Sequence, residues 1–274
     1  MAEGAQQSVV SEDGTEIGFE VTGSGPVMIA IHGGTADRSR WAAVLPLLAP
    51  HFTVWSVDRR GRGLSGDAST YAIDVEVADI RALVRAAGPG CVLLAHSYGA
   101  TCALAAAADG LPGVRALVLY EPAFATPGHD VVDEETFREV EQFLAEGRPE
   151  DALTLFFRKV IGLPDPMIDA MRPTPMWAAR VAAAHTMPRE GRAAQSFHPD
   201  TAALRELTCP TLVLRGTESP AWLRASSEAA HLALPGSVLA ELDGQAHMAM
   251  DTAPELFARV VTGFVERNLA PEHA

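Results

Sequence analysis

Residues 92–100 read Val92-Leu93-Leu94-Ala95-His96-Ser97-Tyr98-Gly99-Ala100. A short, wholly apolar run here delivers a serine into a turn, and an alanine-rich segment, Gly99–Ala108, follows at once. Such a run reads as a strand buried on both faces, and the alanine-rich segment reads as a helix. A serine on so sharp a strand-to-helix turn is held in a strained conformation with its hydroxyl clear of the sheet. The two backbones approach closely there, so small residues are needed two positions before and two after the serine. Those positions hold Ala95 and Gly99. The helix start also aims free N–H groups at charge developing near the hydroxyl. Ser-x-Gly alone is a weak signal, but between a buried strand and an alanine-rich helix it makes Ser97 the expected nucleophile rather than a helix cap.

Similar apolar runs occur at Val27–Ile31, Thr53–Val57, Ala116–Tyr120, Thr211–Leu214 and Val238–Leu242, with an alternating strand at Glu16–Val21. Helix-like segments lie between them at Trp41–Leu48, Val75–Ala87, Leu223–Leu234 and Pro254–Asn268. Strand–helix alternation with fully apolar strands predicts a doubly wound, mostly parallel α/β sheet. The rhythm breaks from about 125 to 205. Helix-like stretches there (Glu134–Ala145, Asp151–Ile161, Met176–Ala184) are separated by prolines at 164, 166, 173, 175 and 188. We expect a core of residues 1–124 and 206–274 and a helical lid over 125–205.

Three further stretches bear on chemistry. His32-Gly33-Gly34 follows a buried strand, and its glycines let the backbone turn sharply beside a ligand. The N–H groups of Gly34 and Tyr98 would then form an oxyanion hole, with His32 orienting the loop. Asp58-Arg59-Arg60-Gly61-Arg62-Gly63-Leu64-Ser65 lacks phosphate-loop spacing and reads as a tight turn held by Asp–Arg contacts. His247, in Asp243-Gly244-Gln245-Ala246-His247-Met248, lies on a loop after a late strand, from which it can reach an elbow serine as general base. His96 is expected to pack into the elbow.

Composition narrows the function classes. The formal charge is −14, from 35 acidic and 21 basic residues. That balance repels polyanions and argues against nucleic acid or an anionic membrane surface as partner. Lys159 is the sole lysine, so Schiff-base chemistry is not expected. Cys91, Cys102 and Cys209 form no CxxC pair and read as small buried residues, so no metal or disulfide framework is expected. The first fourteen residues lack an apolar signal-peptide core and no run is long enough for a bilayer, so the expected compartment is the cytoplasm.

Taken in order, the His-Gly-Gly loop, the Asp-x-Arg-Gly-x-Gly-x-Ser turn, the Ala-His-Ser-Tyr-Gly elbow and the Gly-x-x-His loop resemble the α/β-hydrolase superfamily over nearly the whole chain. Ala95 departs from its usual glycine. The resemblance implies a Ser–His–acid triad without metal or organic cofactor, acting on a small molecule. The superfamily usually places an aspartate after the strand Thr211–Leu214. That position holds Ser219, which cannot supply a negative charge. Glu121, closing the strand Ala116–Tyr120, and Glu218 remain as candidates. Some superfamily members carry a glutamate after the earlier strand, and open α/β sheets place ligand chemistry at that edge, so Glu121 is preferred. The expected reaction is acyl transfer on an ester, thioester or lactone of a fairly hydrophobic substrate. Trp41, Met248 and Trp177 are expected at the substrate. Two other readings are chemistry without an acyl-enzyme (C–C hydrolysis, cyclisation or elimination) and an inactive binding protein.

Overall fold

The computed structural model describes residues 4–269. One eight-stranded sheet organises them: β1 (Ala5–Val10), β2 (Glu16–Gly23), β3 (Val27–Ile31), β4 (Thr53–Val57), β5 (Cys91–His96), β6 (Val114–Tyr120), β7 (Thr211–Gly216) and β8 (Val238–Leu242). Their spatial order is β1-β2-β4-β3-β5-β6-β7-β8. The β1–β2 and β2–β4 pairings are antiparallel and all the others parallel.

The apolar runs are continuous because each central strand feeds two cores. Ile29, Ile31, Leu93, Ala95, Leu117, Leu119 and Val213 point to one face. Their alternates Met28, Ala30, Val92, Leu94, Ala116, Val118, Leu212 and Leu214 point to the other. This is the period-two alternation of a strand, with both phases apolar. Helices α2 (Ile73–Ala87) and α3 (Tyr98–Ala108) cover the first face. The second is covered by Leu48 of the short α1 (Leu45–Leu48) and by Phe257, Val261 and Phe264 of the C-terminal helix.

Between β6 and β7 run α4 (Glu134–Ala145), α5 (Pro149–Phe156), a π-helical turn (Phe157–Ile161), α6 (Asp165–Met171), α7 (Pro175–Ala182), α8 (Met187–Ser196) and α9 (Thr201–Leu204). Among the described residues of this stretch the sole β contact is a bridge between Thr126 and His129. After β7 come α10 (Ala221–Ala233), α11 (Ala249–Thr252) and α12 (Pro254–Leu269).

Three features differ from the sequence reading. β1 was not expected, because AQQSVV is an edge strand exposed almost throughout and carries no apolar phase. The expected helix Trp41–Leu48 is instead a 3-10 turn, Arg38–Trp41, followed by α1, which restarts with proline in its first turn. Prolines 166, 175 and 188 likewise open α6, α7 and α8 rather than separating helices. A first-turn proline costs no hydrogen bond, since that N–H has no partner inside the helix. Among the described residues no helix is long and apolar enough to cross a membrane, and the three cysteines are free.

Candidate active site

The parallel strands bring their C-terminal ends to one edge of the sheet, where open α/β folds place ligand chemistry. Ser97 follows β5 with φ 56° and ψ −128°. Outside glycine, positive φ occurs among the described residues at Thr35 (56°), Ser97 (56°) and Glu121 (47°), all at this edge. Strain of this kind persists where surrounding structure over-determines the backbone. Around Ser97 it does. A Cβ on Gly99 would stand 2.3 Å from the His32 carbonyl oxygen, and one on Gly33 would stand 2.6 Å from the Ser97 Cβ. The Ser97 N–H donates to the Tyr120 carbonyl at 2.9 Å, which ties the elbow to β6. Ala95 is fully buried, so its methyl is accommodated where the superfamily usually has glycine.

His247 reaches Ser97 from the loop after β8, with Nε2 3.0 Å from Oγ. On its other side Nδ1 lies 2.5 Å from Glu121 Oε2. Oε1 of the same carboxylate accepts the Gly216 N–H at 2.7 Å and the Ser219 hydroxyl at 2.5 Å. The network fits one arrangement of protons: Nδ1–H donating to Glu121, with Nε2 free to accept from Ser97. Ser219, at the position where the superfamily usually has an aspartate, donates to the glutamate that comes in from the neighbouring strand. Glu218, the alternative acid, is solvent-exposed and makes no hydrogen bond to His247. Its backbone N–H donates to the Gln245 carbonyl.

Two neutral histidines and a tyrosine hold the catalytic loops. His96 Nε2 donates to the His247 carbonyl at 3.0 Å, and the Tyr120 hydroxyl donates to the Ala246 carbonyl. His32 Nε2 accepts the Arg59 N–H at 3.1 Å, while Nδ1 donates to the Gly33 carbonyl at 2.7 Å. Burial first, then nearby positive charge, holds both imidazoles well below the usual histidine range. Protonating His32 would also set an N–H against the Arg59 N–H.

A pH dependence of stability follows. Below pH 6.5 the unfolded chain takes up protons at these positions and the native state does not, so stability falls as pH falls. For two such groups the slope approaches about 2.7 kcal/mol per pH unit. Urea melts at pH 7.5 and 5.5 check this. A stability that is flat across that interval would contradict it.

Gly34 and Tyr98 line one cavity with Ser97, and the N–H of neither has a hydrogen-bond partner among the described residues. The Asp58–Ser65 turn is structural, as its sequence suggests. Asp58 accepts the N–H of Leu64 and of Arg38, each at 2.7 Å. A Cβ on Gly63 would lie 2.0 Å from its carboxylate.

Above Ser97 lies a cavity lined by Phe156, Phe157, Val160, Ile161, Trp222 and Met248, among others. Two expected substrate residues are not there. Trp41 is buried in the second core among β3, β4 and α12 residues. Trp177 packs inside the helical insertion, against Phe157 and with its indole N–H on Glu150. Both are large apolar side chains that the core claims first. Met248 does line the cavity, as expected.

The sequence reading passed over Arg40, Arg180 and Glu190, which also line it. Glu190 of α8 pairs with Arg59 and Arg62 of the turn after β4, and Arg59 pairs further with Glu76. Burial works against the Glu190 carboxylate, but the two guanidiniums outweigh it and lower its pKa. Charged residues far apart in sequence carry no local signal of such pairing.

An eight-stranded sheet, an elbow serine with positive φ, and a histidine reaching it from the loop after the last strand define a class of protein. The chain belongs to the alpha/beta hydrolase family, whose model matches residues 28–260. It is 29% identical to the 2-(acetamidomethylene)succinate hydrolase of Mesorhizobium japonicum, over 89% of each chain. With the N-formylmaleamate deformylase of Pseudomonas putida it shares 40% identity across 39% of this chain and 41% of that one. Among solved structures, an alpha/beta hydrolase from Sphaerobacter thermophilus superposes with TM-score 0.82 at 37% identity, covering 94% of this chain and 99% of that one.

Proposed function

We propose that this protein is a serine hydrolase working by acyl transfer on a small substrate. The observation that carries the reading is the unbroken relay Glu121–His247–Ser97, with contacts of 2.5 and 3.0 Å. His247 Nε2 takes the Ser97 proton as Oγ attacks a carbonyl carbon. The oxyanion is held by the Gly34 and Tyr98 N–H groups. His247 then protonates the leaving group, and the same imidazole activates the water that releases the acid. Residues 125–205 act as the lid that keeps bulk water from the acyl-enzyme.

The substrate bond is an ester, thioester or lactone. Two of the relatives are named for compounds with an acylated nitrogen, which supports an acyl–nitrogen bond as a second class. A fluorophosphonate should label Ser97 stoichiometrically, located by peptide mass spectrometry. Ser97→Ala should lose labelling and at least about a thousandfold in kcat on p-nitrophenyl acetate. Turnover that survives in Ser97→Ala would overturn the acyl-enzyme.

A further inference from the structure

We infer that the cavity over Ser97 takes a carboxylate-bearing substrate, whose acid group is held by the guanidinium of Arg180 with Arg40 beside it. The inference deepens the acyl-transfer reading and rests on it.

Arg180, on α7, lines the same cavity as Ser97 and His247 and is only 3% exposed. The guanidiniums around it have carboxylate partners: Arg40 has Asp251, Arg59 has Glu76 and Glu190, and Arg62 has Glu190. Among the described residues Arg180 has no such partner. Its contacts are the Thr35 hydroxyl at 3.1 Å, the Thr35 carbonyl at 3.4 Å, the Met176 sulfur at 3.6 Å and the face of Phe157. Its Nε, like that of Arg40, is buried without a hydrogen-bond partner among the described residues. Asp251 and Asp37 act on Arg180 only through space, and a buried cation with no carboxylate in contact is costly, so a ligand carboxylate would supply the missing contact. Burial, then repulsion from Arg40, pushes the Arg180 pKa down to about 9, which leaves it cationic at neutral pH.

The Met176 thioether lies 3.8 Å from Arg40 Nη1 and 3.6 Å from Arg180 Nη2. A weak, flexible acceptor thus occupies the point on which two guanidiniums converge. A carboxylate in the cavity over Ser97, which both guanidiniums line, would give them the short, charge-assisted hydrogen bonds that neither makes to sulfur. Arg180 also grips Thr35, the residue after the oxyanion donor Gly34. An acid group anchored at Arg180 therefore lies close to the scissile carbonyl. This suits a monoester or monoamide of a short dicarboxylic acid, whose methylenes would meet Phe157, Val160 and Ile161.

The test compares monomethyl succinate with methyl butyrate in a pH-stat assay. Wild type should favour the acid by about ten- to a hundredfold in kcat/KM, the worth of one charge-assisted contact. Arg180→Met should collapse that ratio towards one, mainly through KM, and Arg180→Lys should keep part of it. Calorimetry with succinate on Ser97→Ala reads the anion site without chemistry. Binding is expected there, and its loss is expected when Arg180→Met is added. Succinate binding with neither ester turned over would leave the anion site standing and sink the acyl-transfer reading. Turnover of both esters without preference, and no succinate binding, would overturn the carboxylate site alone. So would an equal loss on both esters in a folded Arg180→Met.

Discussion

Glu121→Gln is expected to lower kcat on an acyl substrate by about three to four orders of magnitude while the protein stays folded. The fold is spared because the amide oxygen can keep accepting the Gly216 N–H and the Ser219 hydroxyl. The chemistry is lost because the amide nitrogen would then face His247 Nδ1 as a donor. The imidazole would have to accept there and carry its proton on Nε2, where it could no longer take the Ser97 proton. The loss should appear in kcat and kcat/KM alike, as it does for an interaction made in the transition state. Glu218→Gln is the matched control: its exposed side chain should leave kcat within about twofold. Comparable small losses in both variants would remove Glu121 from the triad.

Glu190→Ala should have the largest effect on stability. The carboxylate is buried between Arg59 and Arg62, and removing it leaves guanidinium charge uncompensated inside the protein. Breaking a buried pair from one side costs about 3–5 kcal/mol. Because the Glu190 pKa is lowered in the native state, its contribution is present above the ordinary glutamate range and fades as pH falls through the native value. The gap between wild type and variant should therefore be full at pH 7 in urea titrations and narrow in acid. A difference under about 1 kcal/mol at pH 7 would mean that the network relaxes around the loss. Since Glu190 belongs to α8 and its partners to the turn after β4, this pairing also fastens the insertion to the core.

Much of the architecture was legible before the structure. The apolar runs Val27–Ile31, Cys91–Ala95 and Ala116–Tyr120 signal a covered parallel sheet, because strands buried on both faces need both phases apolar. Helix α4 was legible over the range it occupies, its apolar face repeating at helical spacing. What the sequence hid shares a physical character. β1 carries no burial pattern because it sits at an edge. α6 and α8 carry a proline in their first turn, and whether a proline starts or stops a helix depends on the residues that then pack. Trp41 and Trp177 looked like substrate contacts by type and neighbourhood, yet each fills a core.

For the site, the serine elbow is a local event. The sterics of a strand–turn–helix are written within a few residues, so Ser97 and its small neighbours could be read directly, and His247 followed from its loop. The sequence by itself determined a mostly parallel α/β sheet and singled out the serine and the histidine that the fold brings within 3.0 Å of each other. Which carboxylate meets that base was decided by tertiary structure, because it depends on β6 and β7 lying side by side. That adjacency puts Ser219 and the Gly216 N–H against Glu121 and leaves Glu218 in solvent. That Arg180 meets no carboxylate among the described residues was decided the same way. Charge pairing acts through space, between α8 and the turn after β4 and between Arg40 and Asp251, and no local pattern in the chain encodes it.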